Sequence, residues 1–255
     1  MIYISESKKG YLAATPMMTI ERGKGMLARN FALVGAALML FALVCFRCAV
    51  FATDAHPMKG TVLLDEQFKG PNVSSRLHWL NPPPSSEVQD GWLVVAPGDQ
   101  TDFWQKTLDG GSRDNGHFLY LELSGDFIAE TKVAEDVYHQ YDQAGLMLRQ
   151  DATHWLKADA ENDPVGTPML GVVVTRDTSD WSVSRRAPKE LSLRLKRKGD
   201  LVEVDTSEDG RDWSILRMTT LDWKDPLQVG LFAACPTKSG MRARFAYLRI
   251  TRAAD

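Results

Sequence analysis

Two alternating stretches place groups capable of ligand chemistry on one side of an extended chain. Between Gln143 and Arg149, one face carries Gln143, Gly145, Met147 and Arg149. Between Trp155 and Glu161, one face carries Trp155, Lys157, Asp159 and Glu161, because successive strand residues point to opposite sides. If these faces lie side by side on a concave sheet, they form an aromatic and polar groove, and Trp104 and Trp181 can add walls. That composition suits a sugar. An aromatic ring stacks on the C–H surface of the pyranose while amide and charged groups bond its hydroxyls. The same pattern also fits a solvated face with snorkelling Lys and core tryptophans.

A second acidic pattern runs Glu203-Val204-Asp205-Thr206-Ser207-Glu208, or E-x-D-x-x-E. It is similar to the catalytic strand of jelly-roll glucanases, and retaining hydrolysis needs two carboxylates about 5–5.5 Å apart. Glu203 and Asp205 share a face by parity. Glu208 falls on the other parity and into an Asp-Gly turn. Thr206 and Ser207 also stand where the glucanases usually carry apolar residues, so a solvated hairpin strand is the plainer reading. His117 follows Asp114-Asn115-Gly116 in a turn entering a strand. It is a candidate acid–base or ligand group, against structural hydrogen bonding. Ser179-Asp180-Trp181-Ser182 and Asp142-Gln143 read as loop or edge motifs. No Cys/His set has zinc spacing and no phosphate-binding glycine loop is present. No metal or cofactor is expected.

These residues need a scaffold, and the sequence specifies one. The chain has 255 residues, of which 44% are hydrophobic and 25% charged, which are globular proportions. With 30 Lys/Arg against 33 Asp/Glu the net charge is −3, which argues against a nucleic-acid partner. Phe31 to Phe46 is an uncharged apolar run preceded by Arg22, Lys24 and Arg29. It reads as the core of a secretory signal ending near Ala52, or as an uncleaved membrane anchor. A start at Met26 would give a signal of ordinary length. Residues 1–52 are thus an extension with a hydrophobic helix, 53–59 a linker and 60–252 the folded domain. Beyond residue 52 there are 24 bases and 31 acids, a net charge of −7. The expected location is secreted or periplasmic, or membrane-anchored with the domain outside the cytoplasm. Contact with membrane would be through the N-terminal segment alone.

From Gly60 onward the pattern is all-β. Leu191, Leu193 and Leu195 alternate with Ser192, Arg194 and Lys196, the period-2 mark of a half-buried strand. Leu201 to Ser207 returns and Arg211 to Met218 follows, which makes a meander. Phe118–Ser124, Phe127–Val133, Ala144–Arg149, Trp155–Ala160, Met169–Arg176, Val229–Ala234 and Met241–Arg252 bring the set to about ten. Short strands with Gly and Pro punctuation predict a sandwich or jelly roll of two antiparallel sheets.

Several motifs in order carry a family resemblance: Asp102-Phe103-Trp104, Arg113-Asp114-Asn115-Gly116-His117-Phe118, Tyr141-Asp142-Gln143-Ala144-Gly145-Leu146-Met147 and Trp155-Leu156-Lys157. Val173-Val174-Thr175-Arg176, Ser179-Asp180-Trp181-Ser182 and Ser207-Glu208-Asp209-Gly210-Arg211-Asp212-Trp213 continue it. From about Leu80 to Thr251 the chain resembles the domain-of-unknown-function family labelled "regulation of enolase protein 1, concanavalin A-like superfamily". The resemblance implies a concanavalin A-like jelly roll and no settled activity. An exported chain would not meet cytosolic enolase. The expectation is therefore a non-catalytic binding module for carbohydrate or a cell-envelope component, using Trp104, His117, Gln143, Arg149, Trp155, Lys157, Glu161 and Trp181. A protein-interaction or regulatory domain and a jelly-roll glycoside hydrolase are the alternatives.

Overall fold

Alternating apolar residues organise the computed structural model, which describes residues 60–136, 139–163, 167–184 and 188–253. Among them are seventeen strands: β1 (Val62–Glu66), β2 (His78–Leu80), β3 (Ser85–Gln89), β4 (Trp92–Ala96), β5 (Phe103–Gln105), β6 (Ser112–Asp114), β7 (His117–Leu123), β8 (Phe127–Asp136), β9 (Gln143–Asp151), β10 (His154–Asn162), β11 (Pro168–Arg176), β12 (Thr178–Ser184), β13 (Glu190–Lys198), β14 (Leu201–Ser207), β15 (Ser214–Thr220), β16 (Leu227–Ala234) and β17 (Arg242–Arg252). All the pairings within the sheets are antiparallel. One sheet runs β15-β14-β13-β8-β17-β4-β3, with β1 also on β17. The other runs β12-β11-β10-β9-β16-β7-β2. The fold is an all-β sandwich, as the period-2 pattern predicts.

The core lies between the sheets. Leu191, Leu193 and Leu195 of β13 meet Leu146 and Leu148 of β9 and Leu156 and Ala158 of β10 in one apolar cluster. Each fully buried Leu contributes about 1.5–3 kcal/mol. Leu119 and Leu121 face this core, whereas Phe118 and Tyr120 face away from it, as their parity requires.

The outward face of the seven-stranded sheet carries a second apolar cluster of Phe118, Met147, Trp155, Val173 and Phe232. Left wet, it would cost the sheet much of its hydrophobic gain. The β5–β6 hairpin covers it by inserting Phe103, which is fully buried. That close approach needs a glycine. A Cβ on Gly116 would lie 2.4 Å from the Phe103 ring.

The expected set of about ten strands is too small. The additions are mostly short edge strands. In β12 six of seven residues are exposed, so it lacks a buried stripe for the sequence to display. The strand expected from Arg211 begins at Ser214 instead. Asp209 explains the delay, because its carboxylate accepts the N–H groups of Arg211 at 2.8 Å and Asp212 at 2.9 Å and holds them in the turn. The apolar run Phe31 to Phe46 and its expected helix lie outside the described residues. Among the described residues no helix is long and apolar enough to cross a membrane.

Candidate functional site

Strand register places the polar residues of the outward face in rows. Trp181, Val173, Lys157 and Met147 align in one row, across β12, β11, β10 and β9. Val183, Gly171, Asp159 and Gly145 align in the next, and Glu161 pairs with Gln143 one step further. The two faces expected to lie side by side do so. They adjoin on the outer face of the seven-stranded sheet.

A cleft of about 440 Å³ opens there between the β5–β6 hairpin and β12. Trp104, Tyr141 and Trp181 wall it, and Gln143, Lys157 and Glu161 form its polar floor. The rings stand nearly at right angles. Trp104 and Trp181 are 6.3 Å apart at 87°, and Tyr141 and Trp181 are 6.1 Å apart at 83°. Edge-to-face contact of this kind favours aromatic pairs. The hairpin wall is pinned to the sheet edge. The Gln105 N–H donates to Ser179 Oγ at 2.9 Å and the Thr107 hydroxyl to the Ser179 carbonyl at 2.5 Å. The Trp104 indole donates to the Thr107 carbonyl at 2.6 Å, so its ring orientation is fixed.

The floor is charged and buried. Lys157 Nζ donates to the Phe103 carbonyl at 3.0 Å, to Asp102 Oδ1 at 3.3 Å and to Gln143 Oε1. An ammonium has three N–H donors, so all of them are used within the protein. Nζ also lies 5.6 Å from the Trp155 ring centroid and 5.7 Å from that of Phe232, where the aromatic faces favour its charge.

Asp159 and Glu161 lie along the same face of β10. Burial first, then the Glu161 charge, pushes the Asp159 carboxyl well above the usual carboxylate range, which favours its neutral form. Burial likewise pushes Glu161 up to about 7, against the pull of Lys157 and of a hydrogen bond from Trp181. Two buried carboxyls this close titrate as one unit. The Asp159 oxygens find no hydrogen-bond partner beyond a weak approach to the Gly171 N–H.

Gly171 makes room for the pair. A Cβ there would stand 2.3 Å from Asp159 Oδ1 and 2.7 Å from Glu161 Oε2. Gly171→Ala is therefore expected to destabilise the chain by about 1–3 kcal/mol, through overpacking. Urea denaturation at neutral pH measures it, and an unchanged midpoint would refute the crowding argument.

Of the eight candidates, Trp104, Gln143, Lys157, Glu161 and Trp181 meet at this cleft. The other three stand elsewhere. Trp155 is not a groove wall, because it is fully buried beneath the hairpin, with its ring edge-on to Phe103. Arg149 is buried and reaches Asp114 of β6 at 2.7 Å, so it anchors the hairpin. His117 is a structural histidine. Nε2 accepts the Gly98 N–H at 3.0 Å, which leaves the ring proton on Nδ1 to donate to the Asn81 carbonyl at 2.7 Å. Burial holds its imidazole below the usual range. The sequence reading missed Tyr141 as a wall and Asp102 as the partner of Lys157. Both stand in quoted motifs, Tyr141-Asp142-Gln143 and Asp102-Phe103-Trp104. Their place depends on how the hairpin folds back.

The Glu203, Asp205 and Glu208 pattern is not arranged as a catalytic pair. Asp205 is ion-paired with Arg194 at 2.7 Å and with Lys196 at 2.9 Å, and Lys196 also holds Glu203. Cross-strand pairing between β13 and β14 thus neutralises both acids. Glu208 lies exposed in the turn after β14. Among the described residues no group of three or more His, Cys, Asp or Glu could hold a metal ion.

Solved structures share this sandwich. A functionally unknown protein from Saccharomyces cerevisiae is 33% identical and superposes with a TM-score of 0.68, covering 71% of this chain and 98% of the other. A GH43 protein from Bacillus licheniformis is 15% identical with a TM-score of 0.62, covering 74% of this chain and 39% of that one. At that identity the likeness concerns the fold alone. "Regulation of enolase protein 1" from Saccharomyces cerevisiae is 34% identical over 175 residues, which is 68% of this chain and 88% of the relative. A family model also matches residues 79–253. The expected family is thereby established, and the chain belongs to the one described as "Protein of unknown function (DUF1349)".

Proposed function

We propose that this chain is an exported, non-catalytic carbohydrate-binding module, built on a concanavalin A-like jelly roll and acting on a saccharide of the cell envelope or its surroundings. The observation that carries this reading is the cleft itself. Three aromatic rings stand around a polar floor of Gln143, Lys157 and Glu161. A pyranose presents the complementary surfaces, an apolar C–H face for the rings and a hydroxyl edge for the floor. The cleft volume, about 440 Å³, is that of a small-ligand site. Export rests on the basic residues and apolar run of residues 22–52. The net charge of −7 beyond residue 52 disfavours a polyanionic partner.

The test is a screen of the purified full-length chain against envelope and storage polysaccharides, read by tryptophan fluorescence. Trp181 is 38% exposed, so its removal costs little packing. Trp181→Ala is expected to weaken sugar binding at least about tenfold, with stability changed by under about 1 kcal/mol. Binding that survives Trp181→Ala would place the ligand elsewhere.

A second reading is a protein-interaction or regulatory domain. The name of the yeast relative favours it. It gains if no saccharide binds and a cross-linked protein partner protects Trp181.

A further inference from the structure

The floor of the cleft has no cation left free for a ligand. Its charged groups are Lys157 and Glu161, backed by Asp102 and Asp159. Lys157 and Asp102 form an ion pair. The three N–H donors of Lys157 all end on Asp102, Phe103 and Gln143. None is left for the carboxyls of Glu161 and Asp159, which close on one another where Gly171 has no side chain. Asp159 is fully buried with both oxygens lacking a firm donor, an arrangement that costs free energy until a donor arrives. Arg113, the other cation at the cleft, is held by Asp109 at 2.5 Å near the exposed mouth.

The walls favour the same kind of ligand. Trp104, Tyr141 and Trp181 form three sides of a box with perpendicular faces. Faces of this kind attract an ammonium through the ring quadrupole, and a carboxylate at the bottom adds a charge-assisted hydrogen bond.

We infer that the cleft selects an amino sugar, with the ammonium group of the saccharide seated on Glu161 inside the aromatic box and the sugar ring against Trp181. Asp159 lies behind Glu161, and neither of its carboxyl oxygens has a firm donor within the protein. The inference rests on the carbohydrate reading and narrows it to a saccharide with a free amine. A neutral hydroxyl brings no charge to the floor, and an acetamido group replaces the ammonium by a bulkier neutral amide.

Three trisaccharides of one backbone geometry separate these cases: chitotriose with free amines, its N-acetylated form and cellotriose. Calorimetric titration of the full-length chain at pH 7 is expected to give chitotriose at least about tenfold tighter binding than the other two. In Glu161→Gln, which keeps the shape of the floor, the preference is expected to fall to about threefold or less. Equal binding of all three sugars, or tighter binding of the acetylated form, would overturn the inference and leave the carbohydrate reading standing. An unchanged preference in Glu161→Gln would overturn the role of Glu161. If none of the three binds while another polysaccharide does, the amine selection is wrong. If no saccharide binds at all, the carbohydrate reading fails, and the inference fails with it.

Discussion

Replacing Glu161 with Gln is expected to stabilise the folded chain above pH 7, although it removes a charged residue from a candidate binding site. Burial raises the Glu161 carboxyl from its ordinary value of 4.5 to about 7. Between those values the folded chain holds a proton that the unfolded chain has released. The contribution of this group to stability therefore falls as pH rises from about 4.5 to about 7, and it stays low above that. A shift of this size is worth about 3 kcal/mol. Gln has nearly the same shape and never ionises, so it escapes the loss. Urea denaturation of both chains at pH 5 and pH 8 is the measurement. The two should be nearly equal at pH 5, and at pH 8 Glu161→Gln should be the more stable by up to about 3 kcal/mol. A variant no more stable than the parent at pH 8 would mean that Glu161 is not desolvated in solution. The same variant is expected to lose amine selectivity, so stability and recognition would oppose each other at one residue.

Lys157→Met should do the reverse, with a loss of about 3–5 kcal/mol at neutral pH. Lys157 is buried, and its ammonium joins the hairpin to the sheet through Asp102, the Phe103 carbonyl and Gln143. Met can fill the methylene volume and keep contact with Trp155 and Phe232. It leaves the Asp102 carboxylate without its cation and the Phe103 carbonyl without a donor. Removing one partner of a buried pair is costly because the other charge stays behind. Denaturant titration of the variant measures the loss. A change under about 1 kcal/mol would show that the Lys157 network does not hold the hairpin down. If the network does hold it, Lys157→Met should also expose the apolar cluster beneath, visible as faster hydrogen exchange of the backbone amides of β5 and β6.

The sequence made the scaffold and part of the site legible for the same reason. Parity along a strand is local, and Gln143 to Arg149 and Trp155 to Glu161 could be assigned to faces without knowing what lay beside them. Hairpins between neighbouring strands then place those faces together, as the β9–β10 register does. What parity does not reveal is which part of a face is covered. Trp155 and Lys157 have the same parity, yet Trp155 lies under Phe103 while Lys157 meets the cleft. The covering hairpin comes from residues 103–114, about forty residues earlier in the chain, and Gly116 is the one local sign of how closely it packs. Arg149 and His117 were misplaced for the same reason, since their partners Asp114 and Asn81 are distant in sequence. The acids of β14 show the converse. Their spacing resembles a catalytic strand, but the pairing of β13 with β14 sets Arg194 and Lys196 against them.

The most direct test of the cleft as the binding site is the indole region of a ¹H–¹⁵N spectrum of the full-length chain, which carries seven tryptophans. Single Trp→Phe variants assign the signals, and a saccharide that binds in the screen is titrated in. The indole signals of Trp104 and Trp181 should shift saturably, with one affinity for both, while those of Trp92 and Trp213, which lie against Arg244 and Arg194 on the other sheet, should stay fixed. Saturable shifts confined to Trp92 or Trp213, with Trp104 and Trp181 unmoved, would put the sugar on the opposite face and contradict the assignment.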